Sequence, residues 1–170
     1  MKFNLIDKIE SISDDRIVAV KYVSLAEEYL ADHFPTFPVL PGVMMLEAVT
    51  QAAAWLLHRR HDFARSMGVL KEARNVKYGR FVAPGNFLRV NVELSKLTDT
   101  GAVFKATGTV GEGAPGSKAP PADAQALSAR VELAYFNLAE KQPELADIDA
   151  RLREHNRLRW SVLRQGSIGL

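Results

Sequence analysis

A histidine and a glutamate fourteen positions apart are the residues of this sequence best suited to acid–base chemistry. His33 lies in a loop with prolines at positions 35, 38 and 41, and Glu47 is the only charged residue between positions 42 and 57. An apolar environment disfavours the ionised form of a carboxyl group, which suits a general acid working near neutral pH. The pair therefore indicates a site in which one side chain removes a proton and the other donates one.

The residues around Glu47 predict a helix whose first turn could complete such a site. Proline is excluded from helix interiors, and good helix formers begin where the prolines end, so we predict a helix over about residues 43–60. The unpaired amides of Gly42 and Val43 would carry partial positive charge, suited to polarising a carbonyl oxygen. Gln51 follows Glu47 by four residues, on the same helix face, where a hydrogen bond could orient the carboxyl group.

Each of these residues also has a purely structural explanation. A lone loop histidine is usually solvated, and a buried glutamate can be held by a backbone group or by an arginine. Taken together, however, the loop histidine, the helix N-terminus, the carboxyl group and its polar neighbour supply a base, an oxyanion site and an acid. The combination favours the catalytic interpretation.

Segment 33–51 resembles the active-site motif of the FabZ-type (3R)-hydroxyacyl-[acyl-carrier-protein] dehydratases. The matching residues are His33, Phe34, Pro35, Pro38, Pro41, Gly42, Val43, Glu47, Ala48 and Gln51. Segments 16–24 and 75–86 match more weakly, and the resemblance covers residues 3–138. Four positions depart from the residues that are common in the family. Thr36 stands where the family has Gly, Gly79 where it has Arg, Phe81 where it has Pro, and Asn86 where it has Asp.

The resemblance implies dehydration of a (3R)-hydroxyacyl thioester to the trans-2-enoyl thioester, in fatty-acid or related acyl-chain biosynthesis. His33 would remove the proton next to the thioester carbonyl, and Glu47 would protonate the leaving hydroxyl group. The amide of Gly42, with that of Val43, would stabilise the enolate-like oxygen. Phe34 and Gln51 complete the candidate substrate-binding residues.

The same resemblance implies partners. The substrate would be carried on the phosphopantetheine of an acyl carrier protein, with no metal, nicotinamide or flavin cofactor. His33 and Glu47 of one site would come from different subunits, which makes a homodimer the minimal active unit; members of the family also form trimers of dimers. Acyl carrier proteins are acidic and should dock through positive charge near the pocket mouth. The candidate docking residues are Lys71, Arg74, Lys77 and Arg80.

Three other functions remain open from the sequence. A thioester hydrolase of the same fold could use Glu47 to activate water, although such hydrolases do not usually carry the His-Phe-Pro loop. A non-catalytic module that binds the acyl carrier would be expected to lack His33 or Glu47. A FabA-type isomerase-dehydratase usually has Asp at the carboxylate position, so Glu47 favours simple dehydration.

Composition limits the alternatives further. The chain has 170 residues, 47% of them hydrophobic and 25% charged, which is typical of one globular domain. It has no cysteine, which excludes disulfides, thiolate nucleophiles and cysteine metal sites. A net charge of +2 gives no argument for nucleic acid, and no apolar run reaches the ~18 residues that span a membrane. Because the first ten residues lack the apolar core of a signal peptide, we expect a cytoplasmic protein.

The order of predicted elements is strands, one apolar helix, and then long strands joined by hairpins, an α+β pattern with an antiparallel sheet wrapped around one long central helix. The FabZ resemblance implies the same architecture, the hotdog fold. Strands are predicted over 16–23, 76–82, 87–97, 102–110 and 126–136, with a turn at 98–101.

The C-terminal part of the chain lies beyond the resemblance. We expect a dehydratase domain over residues 1–138, interrupted by a flexible Gly/Pro/Ala-rich loop at 111–123, and a helical tail over 139–170. The tail helix, over 145–163, is rich in arginine and is predicted to be mainly a solvated surface helix. Its candidate docking residues are Leu152, Leu158 and Trp160.

Overall fold

The computed structural model describes residues 3–34, 36–112 and 125–165. In chain order its elements are strands β1 (Lys8–Ile12) and β2 (Arg16–Tyr22), a single-turn helix α1 (Tyr29–Asp32), the long helix α2 (Gly42–Arg60), strands β3 (Met67–Tyr78), β4 (Asn86–Thr98), β5 (Gly101–Glu112) and β6 (Gln125–Phe136), and helix α3 (Ala146–Gln165). Two short 3₁₀ turns, Leu138–Glu140 and Pro143–Leu145, connect β6 to α3.

Helix α2 forms the centre of the hydrophobic core. Its alanines 48, 52 and 53 are fully buried, and their small side chains let the strands pack closely around the helix. Strand β4 shows the alternation expected of a strand with one buried face, because Leu88, Val90 and Val92 are fully buried while the residues between them are not. Each such fully buried aliphatic side chain is worth roughly 1.5–3 kcal/mol of hydrophobic stabilisation.

The six strands form one sheet in the order β1-β2-β4-β5-β6-β3, and every neighbouring pair is antiparallel. The α+β prediction, an antiparallel sheet around one long apolar helix, is confirmed. The two edges of the sheet differ, since α3 contacts β1, whereas β3, which pairs with β6 on one side, has no strand on its outer side in the described chain. The described residues contain no helix long and apolar enough to cross a membrane.

Most predicted strands are present, but one was missed and one misplaced. Strand β1 was not predicted, because Ile9 is the only fully buried residue in its five positions. The prediction of a strand at 76–82 was wrong, since β3 begins nine residues earlier, at Met67, and ends at Tyr78. Two register shifts in its pairing with β6, between Leu70 and Glu72 and between Arg74 and Lys77, interrupt the regular alternation of its two faces. The predicted loop 111–123 is strand β5 at its first two residues, and 113–123 lie outside the described residues.

Helix α3 is attached more firmly than a solvated surface helix would be. Asp149 is buried and accepts hydrogen bonds from Ser66 Oγ and from the backbone amides of Leu138 and Ala139, the latter two at 2.9 Å. Trp160 packs against the core and Leu163 is buried. The prediction of Leu158 as a docking residue was wrong, because its side chain is 63% exposed.

A buried histidine connects α3 to the end of α2. Asn156 Nδ2 lies 3.4 Å from His58 Nε2 and 3.4 Å from the carbonyl oxygen of Ser66, so this amide donates and Nε2 accepts. The proton of the ring must therefore be on Nδ1, which lies 3.3 Å from Tyr135 Oη. Burial lowers the pKa of His58 to about 4, against a weaker opposing effect of the backbone of Arg65. His58 lies in the last turn of α2, where a helix C-terminus favours a cation, but burial outweighs that effect.

We expect His58 to make stability depend on pH. Its folded pKa lies below the unfolded value of 6.5, so the unfolded state binds more protons between these values and stability falls as the pH falls from about 6.5 to about 4. Between pH 7 and pH 5 the wild type should lose about 2 kcal/mol more unfolding free energy than His58→Gln, measured by urea denaturation. Equal losses in the two proteins would show that other groups cause the acid sensitivity.

Candidate active site

The histidine of the predicted site is positioned by the end of α1 and by a tight turn. The amide of His33 donates to the carbonyl oxygen of Tyr29 at 3.1 Å, which closes the single turn of α1. Phe34 has φ +51°, a left-handed conformation that costs energy for a residue with a side chain, and its carbonyl accepts from the amide of Phe37 at 2.8 Å. Pro35 lies outside the described residues. The His33 imidazole is half-buried and makes no hydrogen bond to another described residue.

His33 opens into a mostly apolar pocket of about 380 Å³. The pocket is formed by the proline loop, the first turn of α2, and the end of β3 with the residues after it. The amide of Leu40 donates to the carbonyl oxygen of Val82 at 2.9 Å, which joins the loop to the segment after β3. The other lining residues are Phe34, Val39, Leu40, Pro41, Gly42, Val43, Met45, Tyr78, Gly79, Arg80 and Phe81.

The first turn of α2 presents free amides to this pocket. The amides of Met44 and Met45 donate to the carbonyl oxygen of Pro41, at 2.9 and 3.1 Å. Those of Gly42 and Val43 have no acceptor among the described residues, as expected at a helix N-terminus. A Cβ atom at Gly42 would lie 2.9 Å from Cε1 of Tyr78. Glycine therefore lets the tyrosine ring pack over the start of the helix, beside these amides.

Glu47 is positioned by Gln51, as the four-residue spacing predicts. Gln51 Nε2 donates to Glu47 Oε1 at 2.9 Å. The glutamate is half-buried rather than fully enclosed, so a single chain does not give it the apolar surroundings expected from the sequence. The remaining hydrogen bonds of Gln51 go to the backbone of Phe3 and Leu5.

One chain does not bring His33 and Glu47 together. No hydrogen bond or ion pair joins them in the described part of the chain, and Glu47 is not among the residues lining the pocket of His33. On a helical wheel Glu47 lies about 40° from Val43, which lines that pocket, so Glu47 is separated from the pocket mainly by its position about one turn further along the helix. Val43 is 70% exposed, so Glu47 shares a helix face that is open to solvent at its first turn.

Exposed apolar side chains surround this site. Phe37 and Phe81 contact each other edge to face, with ring centroids 5.6 Å apart, although both are more than half exposed. Phe34, Val43 and Tyr78 are also exposed. Large apolar patches on a folded chain commonly mark binding surfaces.

The four predicted docking residues do not form one group. Lys71 pairs with Glu132 at 2.6 Å and Arg74 with Glu72 at 2.7 Å on the exposed surface of β3, whereas Arg80 lines the pocket of His33. Lys77 lines a separate hollow of about 280 Å³.

The sequence analysis did not identify two basic residues, Lys105 and Arg130, that lie near Lys77. Lys105 and Arg130 line the hollow with Lys77, and none of the three has a carboxylate within 4.0 Å among the described residues. Arg130 also lines a neighbouring hollow with Arg74. Only the strand register, which pairs Arg130 with both Arg74 and Lys105, places these residues together.

Other lining residues that the sequence did not identify are explained by the geometry. Tyr78 and Phe81 reach the pocket because β3 ends beside the start of α2. Gly79, a departure from the family pattern, runs against β6, and a Cβ atom there would lie 2.3 Å from the carbonyl oxygen of Gln125. No group of three or more His, Asp or Glu side chains in the described ranges is arranged to hold a metal ion.

Comparison with known proteins shows the family to which the chain belongs. The family of FabA-like domains matches residues 1–113. A 3-hydroxyacyl-[acyl-carrier-protein] dehydratase FabZ of Clostridium perfringens is 38% identical over 108 residues, which cover 64% of this chain and 78% of the relative. The FabZ of Pelotomaculum thermopropionicum is 42% identical over 107 residues, covering 62% and 75%.

Solved structures support the fold. The dehydratase heterocomplex ApeI:P from Xenorhabdus doucetiae superposes with a TM-score of 0.63 at 17% identity, covering 85% of this chain and 90% of that one. A hypothetical thioesterase from Streptococcus pneumoniae, solved with coenzyme A, gives 0.52 at 14% identity, covering 76% and 85%. The hotdog fold is thus confirmed. The chain belongs to the FabA-like domain family and, as its active-site motif predicts, to the FabZ-type dehydratases within it.

Proposed function

We propose that the protein dehydrates (3R)-hydroxyacyl thioesters carried on an acyl carrier protein to trans-2-enoyl thioesters. The observation that carries the proposal is that the unbonded imidazole of His33 and the free amides of Gly42 and Val43 line one apolar pocket. A base beside an oxyanion site is what removal of a proton next to a thioester carbonyl requires. The relatives named FabZ act on this class of substrate.

In the proposed reaction His33 takes the proton from the carbon next to the carbonyl, and the amides at the start of α2 stabilise the negative charge that develops on the thioester oxygen. Each well-placed donor of this kind lowers a barrier by roughly 3–4 kcal/mol. The carbon–oxygen bond at the next carbon then breaks, and the hydroxyl leaves as water with a proton from Glu47. The residues themselves supply this chemistry, with the phosphopantetheine of the carrier as the only prosthetic group.

Two copies of the chain complete the proposed site. Within one chain Glu47 is separate from the pocket of His33, and the apolar side chains around the pocket are exposed. Strand β3 ends beside the pocket and has an unpaired edge in the described structure. Pairing of two copies around a two-fold axis near this edge would cover the exposed side chains and bring Glu47 of one subunit to His33 of the other. Assembly of such dimers into trimers remains a prediction, as does the cytoplasmic location.

We expect His33→Ala and Glu47→Gln each to lose dehydration by a factor on the order of 10²–10⁴, the usual contribution of a positioned acid or base. The assay follows 3-hydroxybutyryl and longer 3-hydroxyacyl carrier thioesters by mass spectrometry, which separates the enoyl product from the free acid that a hydrolase would release. Glu47→Gln should be at least as stable as the wild type, because it removes the need to bury an ionisable group.

The matched control is Glu28→Gln, which removes an exposed carboxylate outside the site and should leave turnover unchanged. Wild-type turnover by folded His33→Ala would refute the proposed base. Retained activity with a large fall in Tm in Glu47→Gln would instead make Glu47 a structural residue, and free acid as the main product would make the protein a hydrolase.

The shared site predicts complementation between the two inactive variants. A mixed dimer of His33→Ala and Glu47→Gln has one site with both residues intact and one with neither, by two-fold symmetry. Because about half of the dimers are mixed, remixing should restore up to roughly a quarter of the wild-type activity per protomer. Each variant remixed with itself is the control. If subunit exchange is demonstrated and the mixture stays inactive, the two residues act within one chain.

Carrier docking is proposed at the basic surface of β3 and its neighbours. The double variant Arg74→Glu/Lys77→Glu should raise KM for carrier-bound substrate and weaken the dependence of kcat/KM on salt, since complementary charge mainly speeds association. A short pantetheine thioester should be affected much less. The control, Lys141→Glu/Arg151→Glu, makes the same change of net charge at exposed positions outside β3. Equal losses on both substrates would exclude a docking role.

A further inference from the structure

The N-terminal segment of the chain runs beside the acid of the proposed site. The backbone amide of Leu5 donates to Gln51 Oε1 at 2.9 Å, and Gln51 Nε2 donates to the carbonyl oxygen of Phe3 at 3.1 Å. The same Nε2 donates to Glu47 Oε1 at 2.9 Å. Gln51 therefore uses both of its N–H groups and its oxygen in a single arrangement.

These two backbone groups determine which way the glutamine amide points. If the amide were reversed, Nε2 would face the amide of Leu5, a donor, and Oε1 would face the carbonyl of Phe3, an acceptor. Both contacts would be repulsive, and a buried polar group without a partner is costly. The orientation is thus fixed by the main chain of residues 3–5, independently of Glu47.

The fixed amide in turn distinguishes the two oxygens of Glu47. Oε1 accepts the N–H of Gln51, which makes it the carbonyl-type oxygen of the neutral acid. Oε2 has no hydrogen-bond partner in the described part of the chain, so it is left to carry the acidic proton. A reversed amide would instead accept that proton from Glu47 and hold it away from a leaving group.

We infer that the main chain of Phe3 and Leu5 is a positioning element for catalysis: by holding the Gln51 amide in one orientation, it keeps the proton of Glu47 on Oε2, the oxygen that Gln51 leaves free to donate to the leaving group. The inference rests on the proposed function, since it assigns the acid of that reaction to one atom. It concerns backbone groups outside the active-site motif, and predicts that a change which deletes one backbone N–H impairs turnover.

Leu5→Pro removes that N–H, and Leu5→Ala is its matched control. Both lose packing, because Leu5 is only 4% exposed, but alanine keeps the hydrogen bond to Gln51. We expect Leu5→Pro to lower kcat about tenfold with little change in KM, because a misplaced Glu47 proton slows protonation of the leaving group without affecting substrate binding. Leu5→Ala should keep kcat within about twofold, with a similar fall in Tm.

A double-variant cycle separates positioning from a general loss of structure. Gln51→Met removes the amide while keeping a side chain of similar length, and it should lower kcat to about the level of Leu5→Pro. Combining the two substitutions should cost no further activity, since both break the same connection. Losses that multiply, or equal kcat in Leu5→Pro and Leu5→Ala, would overturn the inference.

Hydrogen exchange of the Gln51 side-chain amide, followed by NMR, tests the geometry without any substrate. The two Nε2 protons should be protected in the wild type and in Leu5→Ala and should lose protection in Leu5→Pro. Equal exchange in all three proteins would overturn the inference whatever the kinetics. A wild type that forms no enoyl product would contradict the proposed function itself, whereas an active wild type with unimpaired Leu5→Pro would contradict only the positioning role.

Discussion

The whole structure depends on the way the sheet wraps around α2, a helix that is apolar on nearly every side. A helix of this kind cannot face water, and the sheet supplies the cover, with inward-facing aliphatic residues on β4 and alanines on α2 that let strand and helix approach closely. The cover is incomplete at the first turns of the helix. There Val43 is exposed and Glu47 is half-buried. The free amides, the histidine loop and the carboxyl group all lie near this opening, so the proposed site lies where the sheet leaves the helix uncovered.

Much of this arrangement could be predicted from the sequence, for identifiable reasons. The change from a segment with three prolines to a run of helix formers predicted the start of α2 to within one residue. The clean alternation of β4 and the glycine-containing turn after it gave the central hairpin. The hydrogen bond between Glu47 and Gln51 followed from helical spacing alone. In each case the signal is local, and tertiary contacts reinforce it.

What could not be predicted depends on contacts between distant parts of the chain. Lys105 and Arg130 appear unrelated in sequence, and only the strand register makes them neighbours. Phe3 and Leu5 contact Gln51 across more than forty positions through backbone atoms, which leave no trace in residue type. The attachment of α3 was underestimated for a similar reason. A single aspartate, Asp149, accepts three hydrogen bonds from the protein body, and a helix rich in arginine gives no sign that it does so.

The difference between the two edges of the sheet affects whether copies of the chain can associate without limit. An open strand edge is a template for another strand, and a sheet with two such edges can add copies without limit. Among the described residues α3 contacts β1, whereas the outer side of β3 has no strand or helix packed on it that would hinder pairing. In two copies that pair through β3, the only remaining edges would be those at β1. By contacting β1, the C-terminal helix, which does not line the pocket, would hinder strand addition at that edge. It would in this way favour a closed dimer over an open-ended fibre.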